Sequence, residues 1–212
     1  SNPAHGFKFG SDIRYAEIVH QDNSGSYFQY LPSLTFEKNL WTLGGFIPFT
    51  SLSSGHNKEQ GFGNPVVYLD RKLLDNESYH LALGLQFEMA NSGANNAIAS
   101  EHSELMPYLT LMKEMEKTTV FSSLGYRTSL SSNESHHDAH EDEHSEVLLV
   151  NPHENKEFLY RFGVTQSFDG FYLEGFVDGQ HVLEGSKKGS DFIYGGFGLS
   201  MKLNKFYIKP TV

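Results

Sequence analysis

The sequence predicts an all-β chain, an up-and-down antiparallel β-barrel that crosses a membrane on its strands. Three observations carry this reading. Apolar and polar residues alternate with period two through most of the 212 residues, the pattern of strands whose two faces meet different surroundings. The alternating runs are about 9 to 13 residues long, more than a globular strand needs and close to what a tilted bilayer-spanning strand requires. The connections between them alternate between tight and long, as they do when short turns collect at one end of a barrel and loops at the other.

Taken in order, the segments are 7–20, 26–37, 40–51, 63–74, 77–90, 104–114, 118–130, 157–168, 171–183, 191–203 and 205–212. The clearest is the fifth, where Tyr79, Leu81, Leu83, Leu85, Phe87 and Met89 point one way and His80, Ala82, Gly84, Gln86, Glu88 and Ala90 the other. The same greasy face recurs as Phe28, Tyr30, Leu34 and Phe36, as Trp41, Leu43, Ile47 and Phe49, and as Phe158, Tyr160, Phe162 and Val164. In the tenth segment it is Ile193, Phe197, Leu199, Met201 and Leu203. Tight connections fall at 37–39, 75–77, 114–117, 169–170 and 204–205, and longer ones at 20–25, 51–61, 91–103, 131–157 and 183–190. Bacterial single-chain barrels have an even strand count, so eleven segments predict twelve strands with the last absent or truncated, or ten if one segment is not a strand. Residues 1–212 form a single barrel domain, and 131–157 its long extracellular loop.

Composition agrees. With 17 Phe, 11 Tyr, 20 Gly and no Cys, the chain is aromatic-rich and turn-rich, and disulfides have no part in it. No run approaches the roughly 18 apolar residues of a membrane helix, a test that a barrel escapes because its strands alternate. Ser1 opens without a basic region or an apolar run, so no signal peptide is read. A formal charge of −10 argues against nucleic acid, which needs clustered Lys and Arg. Trp41, Phe49, Tyr27, Tyr79, Phe171 and Tyr207 sit near segment ends, where aromatic girdles meet headgroups.

The run Gly61-Phe62-Gly63-Asn64-Pro65, followed by Val66-Val67-Tyr68-Leu69, resembles the G-x-G-D-P strand opening of the outer-membrane family named for the MetA pathway of phenol degradation, with Asn64 in place of Asp. Leu105 to Leu111 and the hairpin into Val120–Tyr126 are similar to that family's middle region. The resemblance covers about two-thirds of the chain. It implies a twelve-stranded barrel and a channel for small apolar or aromatic molecules, and it transfers no catalytic residue.

The longest break reads SSNESHHDAHEDEHSEVLLVNPHENKE. It crowds His136, His137, His140 and His144 among Asp138, Glu141 and Glu143. If it turned helical, His136, His140 and His144 would share a face, and imidazole with carboxylate suits Zn²⁺, Cu²⁺ or Ni²⁺. The alternative is a solvated hydrophilic loop. On the inner face, the alternation places Asp12, Arg14, Glu88, Arg127, Arg161, Glu174 and Asp178 along the lumen, where they either line a polar pore or pair and close it.

Spacing assembles no nucleophile with a base, so enzymatic chemistry is not expected, and no cofactor is required. These readings converge on a Gram-negative outer-membrane barrel whose partners are outer-membrane lipid and a small solute, passed or captured, with a divalent metal ion at the His-rich loop the sharpest candidate. A channel for apolar or aromatic compounds and a non-transporting surface barrel are the alternatives.

Overall fold

The alternating faces of the sequence become the two faces of one antiparallel sheet that closes on itself. The computed structural model describes residues 6–20, 23–54, 57–91, 98–130, 155–169, 171–185, 188–189 and 191–201. In chain order the strands are β1 (Gly6–His20), β2 (Asn23–Lys38), β3 (Trp41–Phe46), β4 (Phe49–Ser54), β5 (Asn57–Phe62) and β6 (Val66–Asp75). They continue with β7 (Tyr79–Glu88), β8 (Glu104–Met115), β9 (Thr118–Ser129), β10 (Lys156–Ser167), β11 (Phe171–Glu184) and β12 (Asp191–Met201).

Closure is made by β1, which pairs with β2 from Gly6↔Glu37 to His20↔Asn23 and with β12 from Asp12↔Ser200 to Ile18↔Tyr194. Two pairs of short strands share a wall position. The lower half of β2 pairs with β3 and its upper half with β4, while β6 and β5 take the next position beside them. The barrel therefore has ten wall strands, the lower of the two counts that the sequence allowed. Segment 205–212 lies outside the described residues.

Between those short strands, Ile47-Pro48 on one side faces Gly63-Asn64-Pro65 on the other, because Phe46 pairs with Val66 and Phe49 with Phe62. Three residues against two is a bulge, and it turns the chain. Phe62 stays exposed while Gly63, Asn64 and Val66 are buried. Proline suits this break because it has no N–H to give a ladder. The Gly-Asn-Pro run thus forms a junction between two strands, with Gly63 N–H donating to Pro48 O at 2.8 Å.

The tight turns lie at one end. Asn39 and Glu116 take positive φ values of 55° and 43° there, as primed hairpin turns require, and Asn76 Oδ1 accepts from the Ser78 and Tyr79 amides at 3.0 and 2.8 Å. At the other end the expected loops at 20–25 and 51–61 are mostly strand. The β1–β2 ladder runs to His20↔Asn23 and the β4–β5 ladder to Ser54↔Asn57. The longer connections that remain are 89–103, 130–155 and 185–190. By the usual disposition, the short-turn end is periplasmic and the long-loop end extracellular.

Burial is inside-out relative to a water-soluble protein. Leu83, Leu109 and Leu124, neighbours across β7, β8 and β9, are 50%, 40% and 44% exposed, whereas Arg127 is 3% exposed and Glu157 0%. Charged side chains are almost never buried in this way unless paired, and an apolar band around a closed wall leaves no backbone edge in lipid. The protein is an outer-membrane β-barrel. Tyr27 departs from the girdle expectation, since it is 7% exposed and faces the interior.

The interior is narrowed by aromatic rings lying over glycines directly across the ladder: Tyr68 on Gly44, Tyr108 on Gly84, Phe121 on Gly163 and Phe176 on Gly196. A Cβ at Gly84 would collide with the Tyr108 ring and with Asp70, so glycine here is a seat for the ring.

Candidate functional site: the barrel interior

Inward positions on successive strands bring together groups far apart in sequence. Arg127 on β9 lies between Glu157 on β10 and Glu104 on β8. Its Nε donates to Glu157 Oε2 at 2.6 Å and stands 3.3 Å from Glu104 Oε2, and Nη2 also reaches Glu157. Gln180 on β11 donates from Nε2 to the other oxygen of Glu157. Glu88, 9% exposed, adds a further carboxylate to the field around Arg127. Charges removed from bulk water need this density of partners.

A second group lies one step around the wall. Arg161 Nε is 2.9 Å from Asp178 Oδ1, its Nη2 is 3.7 Å from Glu174 Oε1, and its guanidinium sits 4.4 Å from the centre of the Phe176 ring. Asp12 is buried at 4% exposure, and Arg14 lies on the same inner face two residues on. All seven expected inner residues therefore point inward. They are joined by Glu104, Glu157 and Gln180, each within an ion pair or hydrogen bond that ties neighbouring strands.

Above and beside these groups is a cavity of about 230 Å³. Each of the ten wall positions contributes, among them Arg14 from β1, Tyr27 from β2, Glu88 from β7, Tyr108 from β8 and Tyr194 from β12. Towards the extracellular end residues 98–100 turn inward. Ile98, Ala99 and Ser100 are buried, and Ile98 packs in a cluster with Ala16, Tyr27, Leu52, Phe176, Val182 and Tyr194. Two contacts hold this segment: the Ser100 amide donates to Asn64 Oδ1 at 3.0 Å, and Asn91 N–H donates to Ser100 O at 3.0 Å. The Asn91 side chain donates to the junction carbonyls of Phe62 and Gly63 at 3.3 and 3.2 Å.

Below the cavity, Tyr108 donates to Asp70 and the Tyr68 and Thr35 hydroxyls lie 3.0 Å apart. At the periplasmic rim Lys72 Nζ is 2.8 Å from Asp75 Oδ2, His80 Nδ1 contacts the other Asp75 oxygen, and His80 Nε2 is 3.3 Å from Glu114. The Lys72 hydrogen bond, the largest influence, holds the Asp75 carboxyl below its ordinary value in spite of partial burial, and His80 adds to it.

The metal residues expected from sequence, His136, His137, His140, His144, Asp138, Glu141 and Glu143, lie outside the described residues. Among the described residues no group of three or more His, Cys, Asp or Glu is placed to hold a metal ion. His181 pairs with Asp191 at 2.6 Å on the exposed extracellular rim.

No family model matches the sequence, and no curated protein matches it. Solved structures with a similar fold include the translocator domain of the autotransporter NalP from Neisseria meningitidis, at 8% identity and a TM-score of 0.39, covering 96% of this chain and 90% of that one. A Pseudomonas aeruginosa FadL homologue is similar at 9% identity and a TM-score of 0.37, covering 94% of this chain, which spans 64% of the homologue's length.

Proposed function

We propose that this barrel takes a small solute into its interior cavity and passes it across the outer membrane. The supporting observation is the cavity itself, enclosed by all ten wall positions and walled partly by aromatic and aliphatic side chains and partly by fixed charges. Such a mixture of apolar wall and a few convergent polar groups is what small-molecule sites use. A barrel serving only as a surface scaffold has no need of it. Ile98 lines the cavity towards the extracellular end, and Tyr108, hydrogen-bonded to Asp70, lines it below.

The test is uptake. Proteoliposomes should admit small organic solutes faster than empty liposomes, and replacing Asn64 by Leu, which removes the acceptor for the Ser100 amide, should raise the rate. Uptake indistinguishable from empty liposomes for every solute refutes passage and favours the non-transporting barrel.

The His/acid-rich segment supports a second reading on composition: it concentrates Zn²⁺, Cu²⁺ or Ni²⁺ at the extracellular mouth through neutral imidazole, and releases them as pH falls through the histidine range. Metal titration of the refolded protein tests it. Binding that survives both acid and deletion of 131–154 overturns it.

A further inference from the structure

The cavity carries information about what it takes. Around it, six carboxylates, those of Asp12, Glu88, Glu104, Glu157, Glu174 and Asp178, stand with three guanidiniums, those of Arg14, Arg127 and Arg161. The formal charge of this ring is negative, and a low-dielectric wall focuses that field into the space it encloses. Rings of carboxylates select cations in membrane pores for this reason. Glu88 and Asp178 border the cavity directly, beside Arg14, Arg127 and Arg161, and the carboxylates that stand behind those guanidiniums leave the ring as a whole negative.

Two further atoms are independent of the charges. Asn64 is 2% exposed and Tyr194 7%, both border the cavity, and neither Asn64 Nδ2 nor the Tyr194 hydroxyl has a hydrogen-bond partner among the described residues. Asn64 is not free to turn away, because its Oδ1 accepts the Ser100 amide. A buried donor without a partner is costly, and these two stand where a guest oxygen accepts from them. Tyr27, Phe46, Ile98, Met106 and Tyr108 give the wall an apolar and aromatic part, which suits an organic body rather than a hydrated metal ion, and Gln29, Gln86 and Gln180 add amides to it. Aromatic faces also attract a cation.

We propose that the cavity binds a small organic cation that has an apolar or aromatic body and a hydrogen-bonding oxygen, of the amino-alcohol class, with its ammonium at Glu88 and Asp178 and its oxygen at Asn64 Nδ2 and the Tyr194 hydroxyl. This inference deepens the reading of the barrel as a solute channel, and binding is separable from passage.

The experiment compares three nearly isosteric probes on the refolded barrel in detergent by calorimetric titration: 2-amino-1-phenylethanol, the neutral 1-phenylethane-1,2-diol and the anion mandelate. The amino alcohol should bind at least about tenfold more tightly than the diol, the scale of one buried charge interaction, and mandelate should bind weakest. Glu88→Gln should remove most of the advantage of amine over diol. Tyr194→Phe should weaken the amino alcohol about fivefold, as one lost hydrogen bond does, while leaving 2-phenylethylamine, which lacks the hydroxyl, unchanged. A structural defect would weaken both amines equally. Equal binding of the three probes, tighter mandelate binding or no binding at all overturns the inference, and these results need no variant to fold. Uptake of the same probes into liposomes separates the readings. Selective binding without uptake leaves this assignment standing and removes passage, whereas unselective uptake does the reverse.

Discussion

Replacing Arg127 by Met should destabilise the barrel by about 3–5 kcal/mol, the cost of breaking a buried ion pair from one side. The guanidinium lies 2.6 Å from Glu157 and 3.3 Å from Glu104, all three side chains being at most 3% exposed. At 3.3 Å and an effective dielectric near 20, one such contact is about 5 kcal/mol before desolvation. Desolvation of the three ions offsets most of this while the cluster is intact. Without the cation, Glu104 and Glu157 keep their burial and repel one another, so the loss appears almost in full. Trp41 is the single tryptophan, 46% exposed on the lipid face, and its fluorescence follows urea unfolding from bilayers without an added label. Because the cost arises from the stranded carboxylates, adding Glu157→Gln to Arg127→Met should recover more than half of it. A loss below about 1 kcal/mol, or a double variant no better than the single, refutes the idea that this cluster clamps β8, β9 and β10 together.

Three other outcomes test separate parts of the structure. Leu109→Arg places a charge on the lipid face between Leu83 and Leu124 and should cost about 2–4 kcal/mol in bilayers, the depth-dependent penalty at the midplane, with little effect on folding in mild detergent. Gly84→Val should displace the Tyr108 ring from its seat and break its hydrogen bond to Asp70, costing about 1–3 kcal/mol as overpacking does, and the lost Tyr108 contact should appear as a shifted tyrosine NMR signal. Asp75 titrates below its ordinary value, so its contribution to stability is present above the unfolded carboxylate value near 3.9 and is lost as pH falls through the lower folded value. Asp75→Asn should flatten that part of the acid unfolding curve, and an unchanged curve refutes the Lys72 contact.

The membrane-embedded parts of the strands were legible because lipid on one side and a polar lumen on the other impose strict alternation. Tyr79 to Glu88 shows this residue by residue, with Leu83 and Leu85 exposed and Gly84 and Glu88 buried. The signal fades where strands rise out of the lipid. Ser24-Gly25-Ser26, Ser51–Ser54 and Lys58–Gln60 are mostly small or polar residues, so the alternation is lost and strand reads as loop. The junction at 47–48 and 63–65 was hidden differently: 40–51 read as one strand because Leu43, Ile47 and Phe49 keep their parity across Pro48, whereas β5, on the far side of the bulge, lost its parity and was read as part of a loop. Among the inner residues, Glu104 and Glu157 open the segments 104–114 and 157–168, and alternation marks a face least clearly at a segment end. Counting by twos from Met106 and Tyr108, or from Leu159 and Arg161, reaches them. Asn64 and Tyr194 carry no such signal, since whether a buried polar atom finds a partner depends on the packing of distant segments, as when Ser100 takes up Asn64 Oδ1.

The seam between β1 and β12 sets the order in which the molecule is made. Asp12 must wait for Ser200, a partner nearly the whole chain away, whereas the β1–β2 hairpin has its complete ladder from the outset. Non-local pairings form late because their chain entropy is lost before any contact rewards it. By that rule the seam closes after the local hairpins have formed, and until β12 arrives the free edge of β1 is a row of unpaired amides and carbonyls able to recruit a foreign strand. The last step of folding is thus also the step at which the sheet stops being adhesive, and a chaperone or insertion machine that caps the edge of β1 would guard the interval before it.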